Sequence, residues 1–377
     1  MLVELKNNLS VVNNVSNLSV NVPINRDAKD VVWRRVDGCQ NFQNPVTISE
    51  AVEAIGADYK VTKEHLIRVS DDIVKALLNG NMSNINFTLS KKQLISSHMA
   101  TVRAETNTTL GVVGSSYGVV QNSKAFEFID IITSGKLGGD RPIIETAGIL
   151  GNGKRMYVSA KMPQDMYING NTKDAVSDYI LFTNSHDGSG AVTVLFTPVR
   201  VICQNTLNYA LKTAQNKLIF KHTSRVGERL DWEKKENMER AIAVLKMHEK
   251  FKQSFLDSLV NLNTKLADVN KDTIRFAANV YVDAKQLKLI EQNNFNVDTV
   301  EEISTRAKNQ IAALRNTIES GIGQESYKGT KLWLFNGLTT FFANEQKYKD
   351  SEKNFDSLLD GDASKKVQKA YQFLIAA

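Results

Sequence analysis

Leu110 to Asp130 reads LGVVGSSYGVVQNSKAFEFID. Glu145 to Met162 reads ETAGILGNGKRMYVSAKM, Tyr179 to Leu211 reads YILFTNSHDGSGAVTVLFTPVRVICQNTLNYAL, and Lys217 to Thr223 reads KLIFKHT. Short β-branched and aromatic runs alternate with turn residues, the pattern of strands in a sheet. Leu110–Val113 and Gly118–Gln121 are expected as strands around a Gly/Ser turn. Ser123 is expected to cap a helix over Lys124–Thr133, with Phe126, Ile129 and Ile132 on one side and Gly135 stopping it. Ile143–Leu150 and Arg155–Lys161 read as a hairpin closed by Gly151, Asn152 and Gly153. Tyr179–Asn184 and Ala191–Thr197 read as a second hairpin, and Pro198, which lacks an N–H, is expected to end its strand. Val199–Thr213 has helical spacing, with Ile202, Leu207, Ala210 and Leu211 inward, and Lys217–His222 reads as a last strand. The order β-β-α-β-β-β-β-α-β predicts an α+β fold: a central, mainly antiparallel sheet with helices on one face.

Working outward, the chain divides into an N-terminal arm with helices (1–109), the central α+β module (110–229) and a helical C-terminal region (230–377). The first thirty residues are rich in Asn and Val and read as an arm or edge strand. Thr47–Tyr59 reads as a short helix capped by Thr47 or Ser49. Glu64–Leu78 reads as another, with Leu66, Val69, Ile73 and Leu77 at helical steps. Residues 80–109 are polar, with Lys91, Lys92 and Arg103. Beyond Leu230, Trp232–Leu266 carries an apolar stripe from Met238 to Leu262, and further helices are expected at 271–293, 297–319 and 330–348.

The 377 residues are 42% hydrophobic with a mean hydropathy of −0.27, which suits a globular chain of one large or two ordinary domains. No apolar run approaches the ~20 residues a membrane span needs. The N-terminus lacks the basic start and solid apolar core of a signal peptide. The expectation is a cytoplasmic protein with no membrane partner. Two distant cysteines, Cys39 and Cys203, fit a reducing compartment and two buried thiols. The net charge of +6 matters only where it clusters. It does so from Gly188 to Gly227, where no Asp or Glu occurs beside Arg200, Lys212, Lys217, Lys221 and Arg225.

That acid-free run points to a polyanion. Asn184, Gln204, Asn205 and Asn208 are candidates for phosphate or sugar, and Tyr117, Tyr157 and Tyr209 for stacking on bases. Lys154 and Arg155, at the exit of a hairpin turn, would add phosphate contacts, although such residues are commonly just solvated. The turn around Ser185, His186 and Asp187 places His beside Asp and serines. Neighbours on a turn point different ways, so a triad is geometrically poor there, and a tight Asp-Gly turn or a phosphate-contacting turn is the better reading. GlyAsnGlyLysArg lacks phosphate-loop spacing and lies between strands. The five histidines show neither HxxxH nor HExxH, so no metal and no cofactor is expected. The stripe after Trp232 reads as packing within the chain or between subunits, since its polar face mixes Glu with Lys.

The segments GVVGSSYGVVQNSKAFEF, ETAGILGNGKRMYVSAKMP, LFTNSHDGSGAVTVLFTPVRVICQNTLN and FKHT resemble the hallmark blocks of a phage/plasmid-like family of unknown function. Trp33 with TISEAVEAIGADY, and GTKLWLFNGLTTFF at Gly329–Phe342, resemble its flanking blocks. The resemblance implies a phage or plasmid setting, and it raises the hypothesis of a distant kinship with single-strand annealing recombination proteins. The expected function is non-catalytic binding and annealing of single-stranded DNA by a homo-oligomer, with Lys154, Arg155, Asn184, His186, Arg200, Asn205, Lys212, Lys217, Lys221 and Arg225 at the nucleic acid. Two alternatives stand beside it. One is an interaction protein that counters a host defence or repair factor; the other is a nuclease or hydrolase centred on His186 and Asp187.

Overall fold

The computed structural model describes residues 31–80, 91–133, 141–168, 175–200, 205–206, 217–226, 230–231, 234–321, 323–359 and 361–376. The first thirty residues, Gly135 and Lys212 lie outside them, as do Gln204, Asn208 and Tyr209. The α+β class is observed. A mainly antiparallel sheet runs in the order β1 (Gln40–Asn41), β5 (Ile143–Leu150), β6 (Arg155–Lys161), β8 (Ala175–Ser185), β9 (Val192–Arg200), β10 (Asn205–Thr206). Two short strands join it from the side: β7 (Met166–Tyr167) pairs with β8, and β11 (Lys217–Phe220) pairs with β9.

Both expected hairpins form. The first closes over Gly151–Gly153, where Asn152 takes a left-handed conformation (φ 57°), which Asn tolerates better than most residues. In the second, β8 is buried along its whole length, because side chains of both parities meet protein. Ile180 and Phe182 face α3 (Asn122–Thr133) and α1 (Ile48–Ala54) in the main core, and Phe128 meets Phe182 edge-on at 6.1 Å. Tyr179 and Leu181 face a smaller cluster with Trp33, Tyr157 and Phe355. Helix therefore covers more than the single face read from sequence: α9 (Ser351–Leu359) supplies Phe355 to the second face. Tyr157 donates to the Trp33 carbonyl (2.6 Å) and its ring lies 4.9 Å from that of Phe355.

Several local expectations change. β9 continues through Pro198 to Arg200. Pro198 sits opposite Asp178, whose carbonyl is turned to β6 by the Met162 N–H, so the pair exchanges no ladder bonds. The missing N–H of Pro198 then faces the outer edge, in the gap between the β11 pairing (192–195) and the β10 pairing (199–200). A strand can hold proline where no partner asks for its N–H. The same pairing overturns the helix expected over Val199–Thr213 at its start, since Val199 and Arg200 are strand and Asn205–Thr206 pair back onto them, while residues 201–204 and 207–213 lie outside the described residues. Gly118–Gln121 is irregular, not a strand. Ser123 lies inside α3, which begins at Asn122.

Glu64–Leu78 is not one helix. Its first part belongs to β2 (Val61–Ile67), which pairs with β3 (Leu94–Arg103), itself paired with β4 (Thr108–Gly114) in a second, three-stranded sheet. Ser70 then takes extended dihedrals and α2 (Asp71–Leu78) follows. α1 carries a full capping box: Thr47 accepts from the Glu50 N–H and Glu50 accepts from the Thr47 N–H.

The C-terminal half is helical, with α4 (Lys235–Leu262), α5 (Val269–Tyr281), α6 (Ala284–Gln292), α7 (Thr305–Ser320), α8 (Lys331–Thr340), α9 and α10 (Asp362–Ala376). α8 runs into a π-turn, Phe341–Glu345, closed by the Gln346 N–H on the Phe341 carbonyl (2.7 Å). One apolar cluster extends from α1 and the sheet to Phe255, Leu332 and Leu374 of these helices. Arg155 of β6 pairs with Asp356 of α9 at 2.7 Å, and Arg34 with Glu145. No helix of the described residues is long and apolar enough to cross a membrane.

Candidate nucleic-acid interface

The loop after β4 and the loop after β11 meet edge to edge. The Gly118 N–H donates to the His222 carbonyl (3.0 Å), and His222 Nδ1 donates to the Gly118 carbonyl (3.0 Å). A methyl group at Gly118 would overlap the Thr223 carbonyl, so this approach requires glycine. Tyr117 stacks on His222 with ring centroids 4.6 Å apart and planes 13° from parallel. From β2, the Lys63 ammonium donates to the Ser115 and Tyr117 carbonyls, each at 2.9 Å. The result is a groove of about 400 Å³ walled by Lys63, Ser115, Ser116, Tyr117 and Ser224. Lys221 and Arg225 are exposed on either side of Ser224.

Beneath the groove lies a buried polar hub. Asn122 donates to the Ala57 carbonyl (2.9 Å), and its own carbonyl oxygen accepts from Asn184 Nδ2 and His186 Nε2, both at 2.9 Å. Asn184 also donates to the Val120 carbonyl (3.1 Å). The His186 backbone donates to the Lys154 carbonyl (2.7 Å) and accepts from the Thr101 hydroxyl (2.6 Å). Tyr59 meets the imidazole edge-on at 6.1 Å, and the Arg103 guanidinium lies 4.1 Å over the Tyr59 ring. Burial, helped by nearby His222 and opposed by Asp187, pushes the His186 pKa down to about 4; burial also lowers that of His222. Both rings are neutral at pH 7.

The sequence-derived set is therefore split. Lys154, Lys221 and Arg225 are exposed. Arg155 is half-buried and bound to Asp356 and to Ser189 (3.2 Å). Lys217 opens β11 opposite Leu195, while Arg200 and Asn205 pair across β9 and β10. Asn184 and His186, both at 0% exposure, are corrected: their side chains bond Asn122 within the fold, out of reach of a strand outside it. Tyr157 is likewise 0% exposed and offers no face to a base.

The serine, histidine and aspartate of the turn do not converge. Asp187 accepts from the Ser185 and Ser189 hydroxyls (2.6 Å each) and the Ser189 N–H (2.9 Å), while His186 turns to Asn122. Burial works to raise the Asp187 carboxyl, but those bonds and Arg155 outweigh it and hold the pKa low. Among the described residues no three His, Cys, Asp or Glu side chains gather in a metal-ligating group.

Sequence reading missed Lys63, Ser115, Ser116 and Ser224. Lys63 fell just outside a stretch read as helix, and only the β2–β3 pairing delivers it to the groove.

The model of one protein family, described as "Domain of unknown function (DUF932)", matches residues 109–360. No curated protein and no solved structure matches the chain.

Proposed function

We propose that this chain, which belongs to the DUF932 family, binds single-stranded DNA through its phosphates, along the groove walled by Lys63, Tyr117 and Ser224. One observation carries the reading. Ser224 forms part of the groove wall, and Lys221 and Arg225, exposed in the same loop, belong to the stretch Gly188–Gly227 that holds no carboxylate. Cations and hydroxyls from a stretch without a carboxylate suit a phosphate backbone of any sequence. Lys63 has three N–H donors; two hold carbonyls of the groove and one is left for an anion. Lys154, on the turn whose carbonyl anchors His186, adds an exposed cation.

Gripping phosphates leaves bases free to pair, which is the requirement of strand annealing. Annealing in phage or plasmid recombination, by an assembly of several copies in the cytoplasm, completes the proposal. The groove needs no catalytic group for this task.

The test is fluorescence anisotropy on labelled single- and double-stranded oligonucleotides of about 30 nucleotides, across a salt series, with light scattering for assembly. Replacing Lys221 and Arg225 together by Ala should weaken single-strand binding and reduce the slope of log affinity against log salt by about 1.4, roughly 0.7 per lost phosphate contact. Both side chains are exposed, so the fold should be unaffected. Unchanged affinity and slope in this variant would reject the groove. Absence of DNA binding at low salt would turn the search to an acidic protein partner.

A further inference from the structure

Away from the groove, the helical half forms a solvent-open cavity of about 560 Å³ between the end of α5, the first turns of α7, the π-turn and the start of α10. That volume is in the range of small-molecule sites. π-turns are rare and recur at functional positions, because one extra residue in a turn re-aims the side chains that follow. Here the residues that follow, Gln346 and Lys347, line the cavity.

Two lining atoms are buried with no hydrogen-bond partner: Tyr281 Oη and Gln346 Oε1. A buried polar atom without a partner is costly, and a ligand that supplies the bond removes that cost. Burial, with Tyr348 and Asp362 nearby, holds the Tyr281 phenol above its ordinary pKa, so it remains a donor. The cations are asymmetric. Lys366 lies 4.9 Å over the Tyr281 ring and pairs with Asp362 at 2.8 Å. Arg306 and Lys347 line the same cavity and pair with no carboxylate among the described residues. Arg306 sits in the first turn of α7, whose positive end adds to the field. Glu345, exposed at the rim, is the lining's other acid.

We infer that this cavity binds a nucleotide. Arg306, Lys347 and the Tyr281 hydroxyl take its phosphate oxygens. Gln346 Oε1, an acceptor, takes a donor that phosphate lacks, such as a sugar hydroxyl or a base amino group. The same chemistry is presented by a free nucleotide and by the terminal nucleotide of a DNA strand. The site is separate from the groove and does not depend on it.

The experiment is calorimetric titration of the full chain with dATP and with sodium pyrophosphate, then competition of dATP by a 5′-phosphorylated oligonucleotide. Saturable dATP binding is expected, weaker for pyrophosphate. R306A combined with K347A should weaken dATP about tenfold or more, the worth of charge-assisted hydrogen bonds. Y281F should weaken it less. The combined replacement of Lys221 and Arg225 should leave dATP binding unchanged. Arg306 and Lys347 are exposed, and an unaltered melting temperature of the unliganded double variant confirms that it folds. Competition by the oligonucleotide assigns the site to a strand terminus; no competition assigns it to free nucleotide. The inference is overturned if dATP fails to bind at millimolar concentration, if R306A/K347A binds as the unaltered chain does, or if loss of Lys221 and Arg225 abolishes the signal.

Discussion

Tyr117 lies flat against His222, 4.6 Å between ring centroids, and its hydroxyl reaches past the stack to donate to the Ser185 carbonyl at 2.7 Å. One side chain thus ties the loop after β4 to the loop after β11 and to the turn after β8. Tyr117→Phe keeps the stack and leaves that carbonyl without its donor. The expected destabilisation is about 1–3 kcal/mol, measured as a lower urea midpoint at unchanged slope. A midpoint equal to that of the unaltered protein would show that the Ser185 carbonyl finds water instead.

The hub sets a pH dependence. The folded-state pKa of His186 is about 4 against an ordinary value of 6.5, and that of His222 is also lowered. The unfolded chain therefore takes up these protons first. Stability is full above about pH 6.5 and is lost as the pH falls through 6.5 toward about 4. His186 alone should remove about 2 kcal/mol between pH 7 and pH 5. His186→Gln should flatten this part of the profile whatever it does to stability at pH 7. Denaturant melts at the two pH values decide it, and an equally steep profile in the variant would clear His186 of the effect.

Gly118 is the contact point of the two groove walls, with the Thr223 carbonyl where a side chain would begin. Gly118→Ala must push those walls apart, at an expected cost of about 1–3 kcal/mol. On the reading proposed above it should also weaken DNA binding, because Lys221 and Arg225 move with Thr223. A stable variant with normal DNA affinity would mean the groove walls are freer than this contact implies.

The Arg155–Asp356 pair joins the sheet to α9, but Asp356 is 39% exposed, so solvent screens it. Asp356→Ala should cost at most about 1 kcal/mol, and the difference should shrink at high salt. A larger, salt-independent loss would place the energy in packing around Phe355 and not in the ion pair.

The parts of the fold that were legible in sequence are those whose causes are local. Thr47 and Glu50 lie three residues apart and announce α1. Asn152 between two glycines announces the β5–β6 turn. The three-stranded sheet was not legible. Leu66, Val69, Ile73 and Leu77 fall at helical steps by coincidence, and what makes β2 a strand is β3, about thirty residues on. Pro198 misled for the same reason: the rule that proline ends a strand depends on which neighbour needs its N–H, and that is a fact of the outer edge. At the candidate site, Lys221 and Arg225 were visible through the absence of acids around them. Asn184 and His186 looked like ligand-facing turn residues, yet Thr101, Asn122 and the Lys154 carbonyl, from three distant segments, close over them.

The second face of the central sheet has a consequence for the order in which the molecule is made. Tyr157 packs on Phe355, and its neighbour Arg155 holds Asp356, 201 residues later in the chain. On the ribosome, β6 and β8 emerge long before α9 exists to cover them. Until then Tyr157, Leu181 and Leu195 lack that cover, with the Trp33 segment, among the described residues, to lie against them. A sheet that assembles before α9 follows is half unroofed on this face, open to chaperones or to the sheet of a neighbouring copy.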